Sequence, residues 1–126
     1  MRCKNLKQNN LFYLEKMEIL KLYEQADFSG KVKTFRPDKL IVVPDIRSFD
    51  LKGINSIEYV GGKIELYPLI NFEGTPLSLE APADVTTYSK FSNIQQVFLA
   101  SYGPGYGALS LKFTAYESSS QYCIIV

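Results

Sequence analysis

Tyr23-Glu24-Gln25-Ala26-Asp27-Phe28-Ser29-Gly30 returns further along the chain as Tyr67-Pro68-Leu69-Ile70-Asn71-Phe72-Glu73-Gly74, with tyrosine, phenylalanine and glycine at the same mutual spacing. Each copy is preceded by the same short pattern, Leu20-Lys21-Leu22 in one and Ile64-Glu65-Leu66 in the other. Alternation of apolar and polar residues with period two is the mark of a half-buried strand. A repeat of this length predicts one supersecondary unit per copy, each hiding its apolar face against its twin. The three fixed residues have separate physical tasks. Gly30 and Gly74 allow a positive φ where a hairpin folds back sharply. Phe28 and Phe72 fill the space beneath that fold, and Tyr23 and Tyr67 lay their rings across it with their hydroxyls free to find a partner.

Further strands follow each hairpin, at Lys31 to Phe35 and Thr75 to Leu79. The first copy continues through Pro37 and the apolar stretch Leu40-Ile41-Val42-Val43, read as a third strand. The second is punctuated by Ala81-Pro82-Ala83-Asp84. Ile54 to Val60 and Ile94 to Ala100 are both read as closing strands, giving four strands per copy and about eight in an all-β sandwich. Residues 1–16 fall outside the repeat and read as an N-terminal arm in which Asn10 can cap a short helix through Lys16. From residue 104 onward the alternation of Leu109-Ser110-Leu111-Lys112-Phe113 reads as an added hairpin, a C-terminal strand extension of a domain spanning residues 17–103.

The pattern of an aromatic, four residues, a second aromatic, one residue and glycine resembles the Greek-key signature of the βγ-crystallin superfamily, and two copies match its two-motif domain. The resemblance implies a sandwich of two Greek keys. It also implies a closing segment in each motif of the form Asp/Asn, Asp/Asn, two variable residues, Ser/Thr, Ser, which helps to clamp Ca²⁺ between the motifs. The first copy presents Leu51, Lys52, Gly53, Ile54, Asn55 and Ser56 there, and the second is matched to Phe91, Ser92, Asn93, Ile94, Gln95 and Gln96. Both acidic pairs are missing. Ca²⁺ takes six to eight oxygen ligands with carboxylates among them, and Lys52 puts an ammonium where an anion is needed. Asn55, Ser92 and Gln95 keep neutral oxygens, donors of a weak site, so the expectation is no required metal or cofactor. Ser56 has a structural use as a hydroxyl bonded to the folded hairpin.

Composition narrows the function classes. Fourteen Lys and Arg stand against 13 Asp and Glu, so no net field draws in nucleic acid or an anionic membrane. The chain has no His, which removes Ser-His-Asp and Cys-His schemes and the commonest metal ligand. The acids Asp45, Asp50, Glu58, Glu65, Glu73, Glu80 and Asp84 show no spacing that pairs two of them, and a solvated sheet face accounts for them. Gly103, Gly105 and Gly107 lack the Gly-Lys-Ser/Thr ending of a phosphate loop and read as a turn. No signal peptide or membrane-spanning run is expected, and no compartment is indicated. Cys123-Ile124-Ile125-Val126 fits a prenylation box, but a terminal strand accounts for the β-branched run and no polybasic segment precedes it. The two cysteines, Cys3 and Cys123, leave pairing open. The reading is therefore a non-enzymatic structural or interaction protein that meets a protein partner or a second copy through its terminal extensions. A calcium-binding module with atypical ligands is the alternative.

Overall fold

The computed structural model describes residues 18–82, 87–105 and 107–116. The N-terminal arm with its Asn10 helix, Cys3, Ala83 and Asp84, Tyr106, and the final run containing Cys123 lie outside the described residues. Among the described residues, eight strands and one helix follow in the order β1 (Leu20–Gln25), β2 (Ser29–Phe35), β3 (Leu40–Val43), β4 (Ser56–Tyr59), β5 (Gly62–Tyr67), β6 (Leu77–Glu80), β7 (Ser89–Phe91), α1 (Ile94–Tyr102) and β8 (Ser110–Ala115). Short 3-10 turns at Ile46–Phe49 and Ile70–Phe72 complete the described elements.

Two four-stranded antiparallel sheets form, one in the order β2-β1-β4-β7 and the other β3-β8-β5-β6. The third strand of each motif is traded. β3 leaves its own motif to join the second sheet, and β7 crosses the other way, so neither sheet is made by one copy alone. This exchange ties the two repeats into one sandwich. The period-two pattern sets which residues face inward: Leu20 and Leu22 of β1, paired with Tyr59 and Ile57 of β4, meet Ile64 and Leu66 of β5 and Leu111 and Phe113 of β8 in the core. Lys21 and Tyr23 face outward across from Glu58 and Ser56.

The all-β double Greek-key sandwich matches the sequence reading, but its second half departs from it in two places. Ile94 to Ala100, expected as a closing strand, lies in α1. Asn93 caps this helix by accepting a hydrogen bond from the Gln96 amide at 3.1 Å, Ile94 and Phe98 bury one face at helical spacing, and Gly103 ends it with φ +71°. The closing strand of the second motif is β8, which sits between β3 and β5. The segment after Gly103 is therefore no added hairpin, and the sandwich runs past the boundary drawn at residue 103.

Candidate functional site at the loop end of the sandwich

The two folded hairpins are built alike. In the first, Asp27 and Phe28 hold φ of 56° and 58°, and in the second Asn71 and Phe72 hold 57° and 60°. A left-handed phenylalanine carries strain of roughly 1–3 kcal/mol that its surroundings must offset. Buried Ser56 does so in the first motif: its Oγ accepts from the Phe28 amide at 2.9 Å and donates to the Gln25 carbonyl at 2.6 Å. Buried Ser110 does the same in the second, accepting from the Phe72 amide at 3.0 Å and donating to the Leu69 carbonyl at 2.6 Å. Tyr23 meets Phe28 edge-on at a centroid distance of 5.8 Å, and Tyr67 meets Phe72 at 5.7 Å. Gly30 and Gly74 follow with φ +81° and +87°.

Lysines from the neighbouring strands cover these corners, Lys90 over Phe28 and Lys112 over Phe72 at 5.6 and 4.5 Å. The Tyr23 hydroxyl donates to Glu58 at 2.5 Å, and Lys90 sits 3.4 Å from the other Glu58 oxygen. Burial, followed by the bond to Glu58, pushes the Tyr23 phenol up to about 12. Partial burial works to raise the Glu58 carboxyl, yet Tyr23 and Lys90 outweigh it and hold the group below its ordinary value.

Ser110, not Gln96, is thus the counterpart of Ser56. The segments to compare are Leu51 to Ser56 and Gly105 to Ser110, and they lie side by side: Ile54 and Ala108 exchange backbone hydrogen bonds of 2.8 and 2.9 Å. Gly107 permits this approach. Its φ is +85°, and a Cβ there would lie 2.2 Å from the Ile54 carbonyl oxygen. With the segments placed this way, Leu109 takes the Ser/Thr position of the second motif. Ser92 and Gln95 leave the ligand set. The Ser92 carbonyl instead accepts from the Asp27 amide at 2.8 Å, and Gln95 lies on α1. Asn55 donates through its side-chain amide to the Glu24 carbonyl at 2.8 Å.

Beside these segments opens a cleft of about 370 Å³ lined by Lys31, Arg47, Asp50, Leu51, Lys52 and Leu109. Lys31 pairs with Asp50 at 3.0 Å, which raises the lysine's pKa. Arg47 grips Asp45 with Nε at 2.8 Å and Nη2 at 2.7 Å, and these bonds lower the Asp45 carboxyl. Glu24 accepts from the Lys52 backbone amide at 2.9 Å. Lys52 itself forms no ion pair among the described residues. No group of three or more Asp, Glu, Cys or His converges among the described residues. A second, more apolar groove of about 240 Å³ runs past Pro68, Leu69, Phe98, Tyr102 and Leu109.

Sequence reasoning missed Ser110, Leu109 and the basic members Lys31 and Arg47. For Ser110 a signal existed: Gly53 and Ser56 share their spacing with Gly107 and Ser110. For Lys31 and Arg47 there was none, since only the fold brings β2 and the 3-10 turn to one cleft.

Two interlocked Greek keys, paired tyrosine corners and serines tying each folded hairpin define a double Greek-key sandwich of the βγ-crystallin type. No family model matches the sequence, and no curated protein matches it. Solved structures do. A βγ-crystallin domain from Flavobacterium johnsoniae aligns over 80% of this chain and 99% of its own, with TM-score 0.56 and 14% identity. One from Clostridium beijerinckii aligns over 77% and 98%, with TM-score 0.51 and 13% identity. A βγ-crystallin from Ciona intestinalis aligns over 73% and 94%, with TM-score 0.51 and 17% identity. The chain has the βγ-crystallin fold.

Proposed function

We propose that this chain is a non-enzymatic structural or interaction protein, a βγ-crystallin scaffold whose calcium cleft is degenerate. The observation that carries the reading is the lining of that cleft, where Leu51, Lys52 and Leu109 occupy two positions for acids or amides and one for a hydroxyl. The residues present do not fit the ion. Calcium needs several oxygens at about 2.3–2.6 Å with carboxylates among them. The two leucine side chains offer none and Lys52 repels a cation. The nearby carboxylates are already engaged, Asp50 by Lys31 and Glu24 by the Lys52 amide.

Absence of histidine and the engagement of Asp45, Asp50 and Glu58 in ion pairs support a non-catalytic role. Because β8 draws residues through Ala115 into the sandwich, contact with a protein partner or a second copy is assigned to residues 1–16 and 117–126. Light scattering on the full chain and on a chain lacking those residues tests this. Association of the full chain, lost on truncation with the fold intact, is expected; identical behaviour of the two would contradict it. The second reading, a calcium-binding module with atypical ligands, is favoured by Asp50, whose 92% exposed side chain stands at the cleft.

A further inference from the structure

The cleft holds more hydrogen-bond donors than acceptors. Its cations come from three separate stretches, Lys31 from β2, Arg47 from the 3-10 turn and Lys52 from the loop before β4. Asp50 is the single acid among the lining residues. A guanidinium carries five N–H donors, and Asp45 takes one each from Nε and Nη2 of Arg47, which leaves both on Nη1 and the second on Nη2. An ammonium carries three. Lys31 directs its own toward Asp50, through the carboxylate at 3.0 Å and the carbonyl at 3.4 Å. Lys52 contributes an ammonium that forms no ion pair among the described residues, while its backbone amide donates to the Glu24 carboxylate. Leu51 and Leu109 add an apolar wall.

We propose that this cleft binds a small oxyanion, a phosphate or carboxylate group carried on an apolar body, with Lys52 and Arg47 as the charged contacts and Lys31 exchanging Asp50 for the ligand. The donor geometry suits such a group because each oxygen accepts from a cation while the substituent rests on the leucines. The proposal rests on the reading that the cleft does not take calcium, since the lysines and arginine that would attract an oxyanion repel a divalent cation.

Chemical-shift titration of the full chain at constant ionic strength tests it, with inorganic phosphate in one arm, hexanoate in a second and chloride as control. Saturable shifts confined to Lys31, Arg47, Asp50 and Lys52 are expected with phosphate or hexanoate, and the tighter of the two names the source. Lys52→Ala keeps the backbone bond to Glu24 and should weaken binding about tenfold, the scale of one charge-assisted hydrogen bond. Lys63→Ala, on exposed β5 surface, should leave it unchanged. No saturable shift, equal shifts with chloride, or full affinity in Lys52→Ala would overturn the proposal. A parallel calcium titration separates the two claims. Silence there together with silence toward both anions removes only the anion site, whereas a calcium response at Asp50 and Lys52 removes the degenerate-cleft reading as well.

Discussion

Replacing Ser110 by alanine should cost as much as replacing Ser56, although only Ser56 stands out in the sequence. In each case a fully buried hydroxyl that bridges an amide and a carbonyl is removed, Phe72 and Leu69 in one motif, Phe28 and Gln25 in the other. An unsatisfied buried polar group costs about 1–3 kcal/mol. Leu69 and Gln25 are exposed residues, whereas the two phenylalanine amides belong to half-buried, left-handed residues. One full penalty plus a reduced one gives roughly 2–3 kcal/mol for either variant. Urea unfolding followed by far-ultraviolet circular dichroism measures this, with Ser78→Ala on the exposed face of β6 as a control within about 0.5 kcal/mol of the parent. If Ser110→Ala also stays within that margin while Ser56→Ala costs the full amount, the pseudo-symmetry assigned to β4 and β8 is wrong.

Three further outcomes follow from the same geometry. Gly107→Ala should destabilise by about 3 kcal/mol or more, because the new Cβ meets a backbone carbonyl at a positive φ. Gly105→Ala, with nothing within 4 Å, should lie near the parent, and thermal melting separates the two. Glu58 has a folded pKa below its unfolded value, so its contribution is present above roughly pH 4.3 and fades as pH falls through the folded pKa. Tyr23 has the opposite sign: its contribution is whole below about pH 10 and lost as pH rises toward about 12. Tyr23→Phe should therefore flatten both limbs of the stability curve measured by denaturation across pH. Asn93→Ala removes the cap of α1 and should cost about 1 kcal/mol in the same unfolding assay.

How much of this was legible in the sequence depends on which physical demand each residue serves. Gly30 and Gly74, like the tyrosines and phenylalanines before them, answer a local backbone requirement, and local requirements leave a repeating signature. Asp27 and Asn71 carried a fainter one, since these two residue types tolerate the left-handed region. The left-handed backbone of Phe28 and Phe72 left none, because that conformation is held by Ser56 and Ser110 from another strand. Val97-Phe98-Leu99 reads as strand by composition, and tertiary burial of Ile94 and Phe98 with a cap at Asn93 makes it helix instead. Inserting that helix pushes Ser110 farther from Tyr67 than Ser56 is from Tyr23, which hid the counterpart. The exchange of β3 and β7 between sheets, and the meeting of Lys31, Arg47 and Lys52, are products of topology alone.

The central claim, a βγ-crystallin scaffold without its calcium chemistry, is tested most directly by melting the full chain in about 10 mM Ca²⁺ and again in chelator. A weak site with Kd of about 1 mM would add roughly 1.4 kcal/mol and raise Tm by several degrees. The account predicts coincident melting curves for the parent chain. A reproducible rise in Tm with calcium, reversed by chelator and absent with magnesium, would contradict it.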